Sequence, residues 1–207
     1  MNKALNIIFR FLCICIGLYL AIYIIFYKYL FLGNRTGFLS TKTPELLNDV
    51  LWNILFFGHI ILGGVALLMG WIQFIKRIRI KRPELHKGIG KIYVISVLIS
   101  GTSGLYIAFF ATGGIICTLG FILLALIWLV TTILSYSAIK QGDVERHSIL
   151  MIYSYAACFA AVTLRIWLPV LIMVFKDFIF AYRIVAWLSW VPNIVVAYVI
   201  VAKTRRY

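Results

Sequence analysis

Six long apolar runs divide the chain, at 11–31, 50–75, 92–111, 115–139, 149–175 and 184–202. A helix rises 1.5 Å per residue, so ~20 apolar residues cross a hydrocarbon layer ~30 Å thick. Leu, Ile, Val and Phe fill these runs continuously, without the two-residue alternation of a membrane barrel strand. Lipid offers backbone groups no hydrogen-bond partner, so continuous runs of this length predict helices. The pattern therefore predicts an all-α polytopic transmembrane bundle of six spans, a single transmembrane domain over 1–207. The first run is too long for a signal peptide and no small-residue cleavage site follows it, so it reads as an uncleaved anchor.

Small and polar residues interrupt the runs at helical spacing. The third span carries Ser96, Ser100, Gly104 and Ala108 at four-residue intervals. The second carries His59, Gly63, Ala66, Gly70 and Gln73 on one face. The fourth has Trp128, Thr131 and Ser135, and the fifth has Ser154, Ala157, Ala161 and Arg165. Small faces let helix backbones approach closely in lipid. They predict a core of spans two to five, with spans one and six outside. Between runs, Thr43-Pro44-Glu45 has the form of a helix start and is expected to open the second span. Gly113-Gly114 predicts a tight turn, and Asn34-Arg35-Thr36 matches a glycosylation sequon.

Composition excludes a water-facing surface. Hydrophobic residues make up 64% of the chain and charged residues 13%, against roughly 25% charged in soluble domains. The net charge of +14 does not point to nucleic acid, because the basic residues cluster in short loops. Lys76, Arg77, Arg79, Lys81, Arg82, Lys87 and Lys91 share one loop, and Lys3, Arg10, Lys140, Arg146, Lys203, Arg205 and Arg206 fall on the same side. Only Lys28, Arg35, Lys42, Lys176 and Arg183 fall opposite. The positive-inside rule then places both termini in the cytoplasm of a multi-pass protein of the cell membrane. Cys13, Cys15, Cys117 and Cys158 lie inside apolar runs and read as buried small hydrophobes.

Candidate chemistry rests on few residues. His59 lies about nine residues into its span, ~14 Å deep, and Arg165 lies at a similar depth. An intramembrane Arg costs ~2.5–3.5 kcal/mol on insertion scales, so it is paired or functional. With Gln73, these two are candidates for a ligand or proton pocket. A second reading of Arg165 is structural, bonding backbone carbonyls near a kink at Pro169. His86 and His147 each end a basic loop just before a span, in contexts that rhyme: Ile92-Tyr93 follows one and Ile152-Tyr153 the other. Two imidazoles at one depth can hold a metal or a haem iron; beside lipid phosphates they can equally be interfacial. Glu84, Asp143 and Glu145 show no metal-site spacing. No phosphate-binding glycine loop is present, and no acidic residue lies deep in a span, so paired-carboxylate chemistry has no material.

At these residues the chain resembles DUF2306, a family of uncharacterised bacterial membrane proteins. The resemblance rests on His59, Gly70 and Gln73, and on the segment His86-Lys87-Gly88-Ile89-Gly90-Lys91-Ile92-Tyr93. It continues through Trp128, Gly142-Asp143, His147, Met151, Ser154-Tyr155 and Ala161-Val162-Thr163-Leu164-Arg165, covering about Leu51 to Leu168. Lys87 and Lys91 stand where the family pattern has Arg, keeping the charge but not the guanidinium fork. The resemblance implies a multi-pass membrane protein and supplies no activity.

Three functions fit the residues. One is a redox membrane subunit holding haem b at His86 and His147, with His59 and Arg165 as a quinone or proton site. The next is a transporter or small-molecule-binding protein with Arg165 as counter-charge to an anion. The last is a structural subunit of a membrane complex. Lipid is a partner in all three. The charge asymmetry makes a testable prediction of orientation. A reporter fused after Arg206 is expected to be active in the cytoplasm and one fused at Ser40 outside; the opposite pattern refutes it.

Overall fold

The structure, a computed structural model, describes residues 37–204. The expected first span, Cys13, Cys15 and the sequon at Asn34 lie outside the described residues. The chain forms two compact units, Met1–Leu47 and Asn48–Tyr207. The described part of the first begins with a 3-10 turn, Gly37–Thr41. Helix α1 (Pro44–Asn48) follows, with Pro44 in its first position and Glu45 in its first turn. Thr43 Oγ1 accepts from the Leu46 N–H at 3.4 Å. Thr-Pro-Glu thus opens this short helix and not the long one after it. The long helix has its own cap: Asp49 accepts from the N–H groups of Leu51 and Trp52 at 2.8 and 3.2 Å. A carboxylate also suits the positive end of a helix.

The second unit contains α2 (Val50–Gln73), α3 (Lys76–Lys81), α4 (Pro83–Ala108), α5 (Ile115–Lys140), α6 (Val144–Cys158), α7 (Ala160–Phe175), α8 (Phe178–Leu188) and α9 (Val191–Thr204). Five stretches are long and apolar enough to cross a membrane: α2, α4, α5, α6 with α7, and α8 with α9. Among the described residues no strand occurs. Helix α2 packs on α4, α4 on α5, α5 on α6, and α6 closes back on α2. This is an up-down-up-down four-helix arrangement, with α4 and α6 on its diagonal. Helix α8 covers α5 and α7, and α9 lies on α6.

The small-residue faces, expected to turn toward neighbouring helices, meet between α2 and α4. Ser96, Ser100, Gly104 and Ala108 are buried on α4, and Ala66, Gly70 and Gln73 on α2. Glycine is required where rings lie flat on the helix. A Cβ on Gly70 would come within 2.5 Å of the Tyr155 ring and 2.8 Å of Tyr93; one on Gly104 would come within 2.8 Å of His59 Nδ1. On α5 the buried polar face is Trp128, Thr132 and Ser135. Thr131, expected there, is half-buried and bonds the Ile127 carbonyl of its own helix at 2.6 Å. At the turn between α4 and α5, Gly113 and Gly114 take φ of 101° and 76°, values that L side chains avoid.

The two last spans are broken. Between α6 and α7 the ladder tightens at Phe159: its N–H keeps the regular bond to Tyr155 O at 2.8 Å, while its carbonyl takes the Val162 N–H at 2.9 Å as well as the Thr163 N–H at 3.2 Å. The break shifts the helical phase. Ser154 and Ala157 are buried, but Ala161 is exposed, and Ala160 and Val162 face inward in its place. The single face expected from Ser154 to Arg165 assumed an unbroken helix. Pro169, where the kink was expected, lies inside α7, which continues past it. Between α8 and α9 the break falls at Ser189–Trp190, two residues before a Pro192 that has no N–H to return to the Leu188 carbonyl.

Gly70→Ala is expected to force the α2–α4–α6 contact apart, at a cost of about 1–3 kcal/mol. Gly88→Ala, where an added Cβ meets nothing within 4 Å, should be neutral or slightly stabilising. Melting of the two variants in detergent checks this; equal melting temperatures would contradict the close approach.

Candidate functional site

Two of the three histidines are held by the same device. His59 Nδ1 donates to the Ser100 carbonyl at 2.9 Å and lies 3.2 Å from Ser100 Oγ, which donates to the His59 carbonyl at 2.9 Å. His147 Nδ1 donates to the Ser135 carbonyl at 3.0 Å and lies 2.9 Å from Ser135 Oγ, which donates to the His147 carbonyl at 3.0 Å. A carbonyl can only accept, so Nδ1 carries the hydrogen in both rings. That leaves the Nε2 lone pair available in the neutral ring. A backbone clamp on Nδ1 is also how proteins orient a histidine whose Nε2 does chemistry.

His86 and His147 are each the fourth residue of their helices, α4 and α6. They stand at the same, basic end of the bundle and close enough to feel each other's charge. Their facing can be followed along the helices. Seven residues on, Tyr93 and Ser154 meet across the diagonal at 2.7 Å, and residues seven apart share a helix face. The equivalence across the axis is thus Tyr93 with Ser154, not the Tyr93 and Tyr153 of the sequence rhyme. His86 Nδ1 is buried with no hydrogen-bond partner among the described residues.

Gln73 is mostly buried, and its Nε2 donates to the His86 carbonyl at 3.1 Å. It lies fourteen residues from His59, ~21 Å along one helix. The grouping of Gln73 with His59 and Arg165 therefore does not describe where it sits. Its place is beside His86, because a shared helix face does not confer shared depth. His59 and Arg165 are within electrostatic reach of each other, toward the end opposite the basic loops. Arg165 is half-buried on α7, and one guanidinium nitrogen donates to the Ala161 carbonyl at 2.6 Å.

Between the two histidine levels lies a polar centre that pattern reading passed over. Trp128 Nε1 donates to Tyr93 Oη at 3.4 Å. Tyr93 Oη and Ser154 Oγ are 2.7 Å apart, as are Ser154 Oγ and Thr132 Oγ1. Thr132 Oγ1 donates to the Trp128 carbonyl at 2.7 Å. With Thr132 donating there, the chain runs one way, from the Trp128 N–H through Tyr93 and Ser154 to Thr132 and back to Trp128. Such directed chains strengthen each member. Cys158 and Ala66 pack around it. The available signal was the spacing of Trp128, Thr132 and Ser135, obscured by the adjacent Thr131.

Among the described residues no three of His, Cys, Asp and Glu gather as a metal-binding group. Fold and site together define a polytopic α-helical membrane protein with a sealed polar centre and clamped histidines at two depths. The chain belongs to DUF2306, a family of predicted membrane proteins, whose model matches residues 56–201. The match runs past the stretch that carried the resemblance, through α8 and into α9. No curated protein and no solved structure matches the chain.

Tyr93→Phe removes the acceptor of the Trp128 N–H and a donor to Ser154. Leaving buried polar groups unmatched costs about 1–3 kcal/mol. The variant should melt well below the parent in detergent, while Tyr153→Phe, at a half-buried position, should not. A Tyr93→Phe protein that melts with the parent would show that the chain contributes nothing.

Proposed function

We propose that this protein is a redox subunit of the cell membrane, its basic end cytoplasmic, in which His86 and His147 hold a b-type haem. The observation that carries the reading is the diagonal pair itself. Two imidazoles stand at one level on facing helices, one oriented by Ser135 and the other with a buried, unpartnered Nδ1. Two protein ligands are too few for a zinc or iron ion held by side chains alone. They suit an iron whose remaining ligands come from a macrocycle. Lys87, Lys91 and Arg146 follow or flank the histidines and can meet carboxylates at the cytoplasmic surface. Such a haem supplies one-electron exchange.

The residues of this chain supply the rest. Ser135 fixes the His147 ring and directs its Nε2 lone pair. Gln73 holds the His86 backbone at the start of α4. Toward the outer side, Ser100 fixes His59 with Nε2 as an acceptor, and Arg165 supplies a permanent positive charge nearby. A quinol hydroxyl can give its proton to His59 Nε2 while Arg165 steadies the oxygen left behind. A second reading, transport or binding of a small anion at Arg165, is favoured by the interrupted spans, which in membrane proteins accompany binding sites.

The test is the visible spectrum of protein purified from haem-replete cells. The expected result is an intense absorption band that shifts and sharpens on reduction, lost in His86→Ala and in His147→Ala and retained in His59→Ala. A colourless parent, or a spectrum that survives both substitutions, overturns the haem assignment. Uptake of an anion abolished by Arg165→Lys would then establish the second reading.

A further inference from the structure

The connection between α2 and α4 is more than a turn. Phe74 and Ile75 leave the end of α2, α3 forms, and Arg82 leads into α4. Ile75 is extended, with φ −76° and ψ 102°, and Arg82 takes φ −138° and ψ 66°. Arg82 precedes Pro83, and the residue before a proline avoids the helical region. Helix α3 is therefore continuous with neither span. It packs on α4 and α2, at the level where those spans end. With ~100° of turn per residue, Ile78 and Arg79 fall on one side of α3. Lys76, Ile80, Arg77 and Lys81, in that angular order, fall on the other. Exposure agrees, since Ile78 is half-buried and Ile80 is 63% exposed. Arg79 is close enough to His86 for the two charges to interact. The four outward residues, and Phe74, Ile75 and Arg82 beside them, are all exposed.

Neither water nor hydrocarbon alone suits this face. Water disfavours exposed Phe74, Ile75 and Ile80, and hydrocarbon disfavours the charges of Lys76, Arg77, Lys81 and Arg82. Among the described residues no carboxylate pairs with these four; Glu84, the nearest in sequence, is taken by Lys87 at 2.8 Å. Orientation in the membrane needs Lys and Arg on this side, but not a separate helix with isoleucine set between them. The charge is also concentrated. From 76 to 91 seven Lys and Arg oppose one Glu. In the other connection at this end, Lys140 and Arg146 are balanced by Asp143 and Glu145. The membrane interface satisfies both kinds of side chain, and amphipathic segments rich in Lys and Arg lie there. Basic clusters beside a span recognise anionic lipid. A soluble acidic partner would match the cations but not the apolar side chains among them.

We infer that the outward face of α3, with Phe74, Ile75 and Arg82, is a docking surface for anionic phospholipid. The apolar side chains enter the edge of the hydrocarbon, and the cations meet headgroup phosphates. The surface does not rest on any haem, nor on Lys87, Lys91 or Arg146. Bound lipid holds α3 against α4, and with it the helix start that carries His86.

The experiment is thermal melting of the full chain in neutral detergent micelles. Phosphatidylglycerol, phosphatidylcholine, inorganic phosphate or polyglutamate is titrated in at one ionic strength. The expected result is saturable stabilisation by phosphatidylglycerol beyond phosphatidylcholine, and by neither soluble anion. Arg77→Gln combined with Lys81→Gln should raise the half-saturating mole fraction about 25-fold, from about fivefold per basic residue near an anionic surface. Lys140→Gln combined with Lys203→Gln removes as much charge from the same end and should leave it nearly unchanged. Ile80→Ser, which leaves the charge alone, should raise it about fivefold. All these positions are exposed, so the variants should melt with the parent when no lipid is added. Equal stabilisation by the two lipids overturns the surface. So does an equal loss from the two charge pairs, which would reduce the effect to net charge. Stabilisation by phosphate or polyglutamate that matches the lipid and ignores Ile80→Ser overturns it in favour of a soluble acidic partner.

Discussion

Lipid hydrogen-bonds nothing, and that constraint decides how every polar side chain in the spans is arranged. Each must find its partner on its own helix or on a neighbour. The outcome here is reciprocal pairing. Ser100 and Ser135 return the bond that His59 and His147 give, so ring and hydroxyl are satisfied by two residues. Tyr93, Trp128, Thr132 and Ser154 close their own circuit across three helices. These bonds do what apolar burial does in water, since lipid tails give helices little reason to prefer one another. The small residues are then the condition for the bonds: without Gly70 and Gly104 the helices would stand too far apart for them to form.

The same constraint makes the exceptions informative. A broken helix in lipid exposes carbonyls that need new donors, and Asn193 and Thr163 supply them at the two breaks. Against this background of completed bonding, few buried polar atoms are left without a partner: Trp52 Nε1, His86 Nδ1 and Ser189 Oγ among the described residues. Two of the three lie where other observations converge. His86 stands at the basic end, at the same helix position as His147, and Ser189 lies at the break between α8 and α9. The bundle thus separates two levels of histidines by a sealed polar centre, with the broken spans packed against one side.

Sequence by itself determined the membrane class, the all-helical bundle and the family. These follow from composition and from run length, which are local properties, because a span needs only its own backbone to be satisfied. It also determined which faces of α2 and α4 would turn toward other helices, since a four-residue spacing fixes a face wherever the helix is regular; that the two faces meet each other was decided by the packing. It gave no warning of the break at Phe159, because nothing at that residue resembles Pro or Gly; the break exists in the packed chain and turns Ala161 outward. It offered Thr131 and Thr132 as neighbours, and only the packing of α5 against α6 put Thr132 inside. It placed Gln73 on the face of His59, while depth assigned it to His86. Above all, sequence could list His59, His147, Ser100 and Ser135 but not join them. Each pair combines residues of two helices at one depth, and depth and facing are fixed together only when the helices are packed side by side.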